Sequence, residues 1–127
     1  MPIKILLVDD DDAYRSVTAI ALESEGCQVI EAADAFVALE TLQMGLPNVP
    51  DVIVSDWDMP GLDGIALCQQ VRNHPALQRI PFVIISALVE QNGEGGPTIH
   101  LANGCLSKQL HFQELFRRLA SLATPQQ

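Results

Sequence analysis

The chain alternates short apolar runs with longer segments of helical spacing. The apolar runs are rich in β-branched residues and lie at 3–8, 27–30, 52–55, 82–86 and, more weakly, 104–107. Runs of this length that alternate with amphipathic segments indicate strand–helix units, in which helices cover both faces of a parallel sheet. The pattern therefore predicts a five-stranded parallel sheet.

Four of the intervening and following segments carry apolar residues at helical spacing. Asp11 or Asp12 is the expected N-cap of the first helix, and Asp63 is that of the third. Gly26 and Pro75 are expected to end these two helices. The predicted apolar stripes are Val17, Ile20, Ala21 and Ser24; Ala35, Leu39 and Leu42; Gly64, Leu67, Cys68 and Val71; and Phe112, Leu115, Phe116, Leu119 and Leu122.

The composition of the strands predicts their order. Runs one, three and four are apolar at consecutive positions, which is typical of central parallel strands that are buried on both faces. Runs two and five are shorter and more polar, as edge strands are. The order 2-1-3-4-5 follows, which is the flavodoxin-like (βα)5 three-layer sandwich. In such sheets a ligand binds at the carboxyl ends of the strands, beside strands one and three.

Length and charge narrow the classes of function. The chain has 127 residues, about one domain, and we expect 1–123 to form it and 124–127 to be a tail or the start of a linker. A net charge of −9 argues against direct nucleic-acid binding. No segment approaches the ~18 apolar residues of a membrane span, and we do not expect the residues before the first acidic run to act as a signal peptide. We therefore expect a cytoplasmic protein with reduced thiols at Cys27, Cys68 and Cys105.

Polar residues collect where the predicted strands end. Asp9 and Asp10 follow the first strand, Asp56 follows the third, Ser86 ends the fourth and Lys108 follows the fifth. Close carboxylates either have raised pKa values or surround a cation, and oxygen ligands without His or Cys favour Mg²⁺. A carboxylate beside Mg²⁺, with a lysine and a hydroxyl nearby, can attack a phosphoryl group.

Simpler interpretations exist for each residue taken alone. A single acid at a strand end is most often a solvated loop residue, and a single lysine is most often a surface residue. Trp57 is expected to pack at the edge of the pocket. The histidines are expected on the surface: His74, His100 and His111. The set of acids on different strands, rather than any one member, indicates a site.

Four phrases together resemble the receiver domain of bacterial two-component response regulators. They are VDDDDAYR after the first strand, SDWDMPGLDG after the third, ISA after the fourth and SK after the fifth. The chain is most similar to chemotaxis-type receivers, and the resemblance extends from residue 3 to about residue 122. It implies a domain that takes a phosphoryl group from a histidine kinase or phosphotransfer protein. The domain would then signal to a downstream effector protein or output domain.

The resemblance implies a role for each residue of the acidic edge. Asp56 would be the phosphoacceptor and would hold Mg²⁺ together with Asp9 and Asp10. The backbone carbonyl of Asp58 would complete the metal site, and its side chain would tune the lifetime of the phosphoryl group. The phosphoryl oxygens would be contacted by Ser86 and Lys108.

The chain departs from the family pattern in its output half. Gln109 stands where the family has a proline, and a cis bond without proline costs about 2.5–4 kcal/mol, which favours a trans bond and a different direction for Lys108. Cys105 replaces the aromatic switch residue. The segment 90–98 contains three glycines and a proline, which oppose a helix. We expect the fourth helix to be absent or reduced to 99–102, and the signal to be carried by the loop 89–97.

Two other functions are compatible with these residues. One is a binding module that keeps the fold and works without phosphorylation, as the departures in the output half would allow. The other is a phosphatase of the haloacid dehalogenase type, since Asp56 and Asp58 resemble its nucleophile motif. Those enzymes carry their metal-binding acids after the nucleophile, whereas the acidic pair here precedes it. We therefore expect no enzymatic activity beyond phosphoryl transfer to and hydrolysis from the chain's own aspartate. The oligomeric state stays open.

Overall fold

The structure is a computed structural model that describes residues 2–45, 49–87 and 101–123. Its strands are β1 (Lys4–Val8), β2 (Gln28–Ala32), β3 (Val52–Asp56), β4 (Phe82–Ser86) and β5 (Gly104–Ser107). The described helices are α1 (Asp12–Ser24), α2 (Ala35–Gln43), α3 (Gly64–Arg72) and α4 (Phe112–Ala123). The signalling loop expected at 89–97 and the first half of the short fourth helix expected at 99–102 lie outside the described residues, as does the tail 124–127.

The five strands form one parallel sheet in the order β2-β1-β3-β4-β5. This confirms the predicted flavodoxin-like fold. Every residue of β3 and β4 is buried, whereas only the last residue of the edge strand β2 is buried. Consecutive apolar residues therefore mark central strands because both faces of those strands are covered.

Alternate residues of each strand contribute to two separate cores. Ile5 and Leu7 of β1 face the core beneath α1 and α4, where they join Leu22 and Leu119. The intervening residues face the core beneath α2 and α3, which includes Leu6, Val8, Ile53, Leu67 and Phe82. This division makes the three-layer sandwich.

The predicted apolar stripe of α1 is wrong. Val17 and Ile20 are 53% and 64% exposed, and the buried residues are instead Thr18, Ala19 and Leu22. Two apolar stripes of α1 have helical spacing, and the sheet covers the one that contains Leu22. The predicted stripe rests on helical spacing alone, which both stripes satisfy.

The predicted helix caps and the predicted apolar stripe of α3 are confirmed by the structure. The side chain of Asp11 caps α1 by accepting a hydrogen bond from the backbone N–H of Tyr14 at 3.1 Å. Asp63 caps α3 in the same way through Ala66 at 2.8 Å. The predicted stripe of α3 is buried at all of its positions, which are Gly64, Leu67, Cys68 and Val71.

All three cysteines lie within the described residues. Cys27, Cys68 and Cys105 are free and buried, and burial raises the pKa of each thiol. Such thiols are poor nucleophiles near neutral pH, as expected of structural cysteines.

Across residues 2–45, 49–87 and 101–123, no helix combines the length and the apolar character needed to cross a bilayer.

Candidate functional site

Three aspartates meet at the carboxyl edge of β1 and β3. Asp9 directly follows β1, and its backbone N–H donates to the carbonyl of Ala32 at 3.1 Å, which extends the pairing with β2. Asp56 is the last residue of β3. Carboxylate oxygens of Asp9, Asp10 and Asp56 all lie within 4.8 Å of one another. The convergence expected from the topology is therefore present in the structure.

The three carboxylates differ in their access to solvent. Asp9 is fully buried and Asp56 is 6% exposed, whereas Asp10 is exposed. Asp9 Oδ1 accepts a hydrogen bond from the backbone N–H of Asp11 at 2.9 Å, and the buried Oδ2 faces the ammonium group of Lys108. The cluster is thus open on the side of Asp10 and closed around Asp9.

Lys108 provides the positive charge of the cluster. Its Nζ lies 2.9 Å from Asp9 Oδ2 and 3.4 Å from Asp56 Oδ1. Its backbone N–H donates to the carbonyl of Ser86 at 3.0 Å, so the pairing of β4 with β5 brings it to this edge. The expectation that Lys108 has a different direction beside Gln109 is wrong, because the side chain points to both acids.

The turn after β5 uses a donor that proline does not have. The backbone N–H of Gln109 donates to Ser107 Oγ at 3.0 Å, and that of Leu110 donates to the Ser107 carbonyl at 3.1 Å. Gln109 therefore forms a hydrogen-bonded turn, and this turn lets Lys108 extend towards the acids.

The electrostatics of the site act on Asp56 and Lys108 in related ways. Burial and the nearby charge of Asp9 raise the pKa of Asp56 to about 6, although Lys108 acts in the opposite direction. Burial by itself lowers the pKa of Lys108, but its ion pairs with Asp9 and Asp56 outweigh that effect and raise it. The site thus has an excess of negative charge that one lysine only partly balances.

The donor set fits a hard divalent cation. The three acids offer only oxygen atoms as ligands, and these oxygens lie within 4.8 Å of one another. The charge of Lys108, which is paired with Asp9 and Asp56, balances only part of their negative charge. Mg²⁺ prefers carboxylate oxygens and keeps several waters, for which the exposed side of Asp10 leaves access. Asp9, Asp10 and Asp56 are therefore the residues that could hold it.

The other predicted residues lie around this cluster. Ser86 is buried at the end of β4, and Asp58 has an exposed side chain two residues after Asp56. Trp57 is half-buried and packs against the core beneath α2 and α3, as expected for the pocket edge. His74 and His111 are exposed, and His100 lies outside the described residues.

Comparison with known proteins identifies the family. The family model of the response regulator receiver domain matches residues 5–120. The chain belongs to this family. The receiver is 34% identical over 125 residues to the response regulator PleD of Caulobacter vibrioides, a match that covers 96% of this chain and 26% of that protein. It is 32% identical to the response regulator MprA of a Mycobacterium species, over 96% of this chain and 51% of that protein. The receiver thus spans about a quarter to a half of the length of these relatives.

Solved structures agree with this assignment. The receiver domain of a Francisella response regulator superposes with a TM-score of 0.78 at 30% identity, covering 95% of this chain and 96% of that one. The chemotaxis protein CheY4 of Vibrio cholerae gives a TM-score of 0.82 at 26% identity, covering 96% and 99%. In this receiver of the two-component type, the pocket of Asp9, Asp10 and Asp56 fits a phosphoacceptor site.

Three residues that contact the site were not predicted from the sequence to do so. Tyr14 and Arg15 lie in the first turns of α1, where Arg15 Nη1 donates to the Asp9 carbonyl at 2.6 Å. Gly64 packs against the end of β3, where a Cβ would overlap the carbonyl oxygen of Asp56. The position of Gly64 directly after the cap Asp63 was an available signal. Nothing in the sequence distinguishes Tyr14 or Arg15 from ordinary helix residues.

Proposed function

We propose that Asp56 of this receiver accepts a phosphoryl group from the phosphohistidine of a histidine kinase or phosphotransfer protein. The observation that carries the proposal is the position of the Asp56 carboxylate, nearly buried between Asp9 and Lys108 at the end of a central strand. The unit that does this is 1–123, acting in the cytoplasm as one step of a phosphorelay.

The transfer balances with Asp56 as the nucleophile. A carboxylate oxygen of Asp56 forms a bond to phosphorus, the bond from phosphorus to the donor imidazole nitrogen breaks, and its electron pair stays on that nitrogen. Asp56 must be ionised to attack, and a pKa of about 6 leaves most of it ionised at pH 7. The raised pKa also makes the carboxylate more basic than an exposed one.

The surrounding residues stabilise the charge of the transferred group. Asp9, Asp10 and Asp56 would hold Mg²⁺ together with the backbone carbonyl of Asp58, and the ion would supply positive charge to the phosphoryl oxygens. The Lys108 ammonium, 3.4 Å from Asp56 Oδ1, pairs with one of these oxygens. Ser86 donates a hydrogen bond to another, and the exposed side chain of Asp58 affects the access of water to the acyl phosphate.

Intact mass spectrometry after incubation with Mg²⁺ and acetyl phosphate tests this function. The wild type should gain the mass of a single phosphoryl group, and the gain should need Mg²⁺ and be lost at alkaline pH. Asp56→Asn should gain nothing. The matched control is Asp51→Asn, which changes an exposed aspartate outside the cluster and should be phosphorylated like the wild type.

A titration with Mg²⁺, followed by the fluorescence of Trp57, separates the remaining possibilities. Trp57 adjoins Asp56, so a working pocket should change its emission at millimolar Mg²⁺. Metal binding without an adduct would mean that acetyl phosphate is not a donor, and the incubation would then be repeated with a phosphorylated histidine phosphotransfer protein. Absence of both metal binding and adduct would contradict the proposal and favour a phosphorylation-independent binding module.

A further inference from the structure

The ring of Tyr14 lies against the ammonium group of Lys108. Lys108 Nζ is 4.5 Å from the centroid of the ring and 2.9 Å from Asp9 Oδ2. A cation within about 6 Å of a ring centroid is attracted by the electrons of the ring face. Lys108 therefore has a neutral partner on one side and two carboxylates, those of Asp9 and Asp56, on the other.

The position of the Tyr14 ring is itself defined by its neighbours. Its backbone N–H is held by the Asp11 cap at 3.1 Å, and its ring packs at a 43° angle against Phe112, with 6.5 Å between the centroids. Burial raises the pKa of the Tyr14 hydroxyl, so the ring is neutral at physiological pH. Tyr14 thus presents a neutral face that α1 and α4 hold in place.

The turn after β5 constrains the backbone of Lys108 but leaves its side chain free to rotate. Gln109 has a backbone N–H and forms the turn by donating to Ser107 Oγ. A turn of this kind orients the backbone of Lys108, but the four-carbon side chain still has several rotatable bonds. Among the residues that the structure describes, the groups in contact with the ammonium are the two carboxylates and the Tyr14 ring.

We propose that Tyr14 is a positioning residue for Lys108, and that its ring holds the ammonium at Asp9 and Asp56 and thereby increases the rate at which Asp56 is phosphorylated. The inference rests on the proposed function of Asp56. Tyr14 touches no phosphoryl group in this mechanism and acts through Lys108 alone.

Two substitutions separate the ring from the rest of the side chain. Tyr14→Phe keeps the aromatic face and removes the hydroxyl, whereas Tyr14→Leu keeps apolar volume and removes the face. With acetyl phosphate and Mg²⁺, we expect Tyr14→Leu to slow adduct formation about threefold to tenfold and Tyr14→Phe to stay within about twofold of the wild type. Thermal unfolding of each variant checks that the fold is retained.

A double-substitution cycle tests whether Tyr14 acts through Lys108. Lys108→Ala alone should slow the reaction, and adding Tyr14→Leu to it should slow the reaction no further. An equal slowing by Tyr14→Leu with and without Lys108 would overturn the inference. A rate for Tyr14→Leu equal to that of the wild type, or a rate for Tyr14→Phe as low as that of Tyr14→Leu, would do the same.

Nuclear magnetic resonance gives a readout that does not depend on phosphorylation. The protons next to Nζ of Lys108 should show an upfield ring-current shift in the wild type and in Tyr14→Phe, and Tyr14→Leu should lose it. Absence of that shift in the wild type would overturn the contact itself. If the wild type forms no adduct with any donor, the proposed function and the rate effect both fail, and the resonance shift alone decides whether Tyr14 positions Lys108.

Discussion

At Asp56, burial and the charge of Asp9 oppose ionisation, and Lys108 favours it. The result is a pKa of about 6, compared with an ordinary value of about 3.9 for aspartate. A carboxylate in this state is ionised at neutral pH but at a cost in folding free energy. This cost in folding free energy arises at Asp56, which must be ionised in the proposed phosphoryl transfer.

The raised pKa predicts how the stability of the receiver depends on pH. The folded state binds the Asp56 proton more tightly than the unfolded state does, so this stabilisation is present below about pH 4 and is lost as pH rises through about 6. Asp56→Asn should therefore raise the free energy of unfolding by on the order of 2 kcal/mol at pH 7.5, and by little at pH 4. Urea denaturation with a chelator present measures both values.

The exposed neighbour Asp58 provides the control for this measurement. Asp58→Asn removes the same charge from a solvated position, so it should leave the free energy of unfolding nearly unchanged at both pH values. A gain for Asp56→Asn that is as large at pH 4 as at pH 7.5 would contradict the account, because it could not come from ionisation.

At the scale of single elements, α1 shows that helical spacing does not choose between two stripes. The sheet covers Ala19 and Leu22, and it leaves Val17 and Ile20 in solvent. Both stripes have the period of a helix, and the choice depends on how α1 packs against β2 and α4. That packing is a property of the assembled sandwich and not of the helix sequence.

Paired substitutions in α1 measure which stripe is buried. Leu22→Ala should lower the free energy of unfolding by about 2–4 kcal/mol, since it removes a fully buried side chain and leaves a cavity. Ile20→Ala should change it by no more than about 0.5 kcal/mol, because Ile20 is largely exposed. A loss at Ile20 comparable to that at Leu22 would contradict the exposure of Ile20.

The meeting of α3 with β3 depends on a glycine. The N–H of Gly64 donates to the Trp57 carbonyl at 2.8 Å, and a Cβ at Gly64 would lie 3.1 Å from the Cα of Trp57 as well as overlapping the Asp56 carbonyl. The start of α3 therefore lies directly against the backbone of Asp56. No side chain fits between them.

Adding a methyl group at Gly64 should disturb both stability and the site. We expect Gly64→Ala to lower the free energy of unfolding by about 1–3 kcal/mol and to weaken Mg²⁺ binding, because the backbone at Asp56 must move. Gly104→Ala is the matched control, since a Cβ there meets no atom within 4 Å. Denaturation and Trp57 fluorescence measure the two effects, and similar behaviour of the two variants would refute the close approach.

For the whole molecule, the net charge of −9 includes a cluster of acids at one edge of the sheet. The excess acidic side chains repel one another in the folded state, and salt screens that repulsion. A cation bound at the cluster stabilises the fold more specifically, because it binds the folded chain and not the unfolded one.

Mg²⁺ should therefore stabilise the receiver beyond the effect of ionic strength. At ten to thirty times its dissociation constant, it should add roughly 1–2 kcal/mol to the free energy of unfolding. Asp10→Asn should reduce this gain without affecting the fold, because Asp10 is exposed. Sodium chloride at the same ionic strength is the control, and an equal gain from it would argue against a metal site.

Local sequence patterns predict part of the site but not all of it. Asp9, Asp10 and Asp56 could be placed together because each follows an apolar run, and parallel strands bring their carboxyl ends to one edge. The direction of Lys108 could not be predicted, because it depends on a hydrogen-bonded turn that uses the N–H of Gln109. The family resemblance placed Lys108 in the pocket, and only the departure from it at Gln109 suggested another direction, because that expectation considered the missing proline and not the hydrogen bond that the Gln109 N–H makes.

The sequence by itself determined the five strands, their order, two helix caps and the meeting of three aspartates. These features depend on period, composition and topology, which are written in neighbouring residues. Only the tertiary structure decided which stripe of α1 is buried and that the ring of Tyr14 lies against Lys108. Those features join residues from distant parts of the chain, and their contacts depend on distances and angles that exist only once the helices have packed on the sheet.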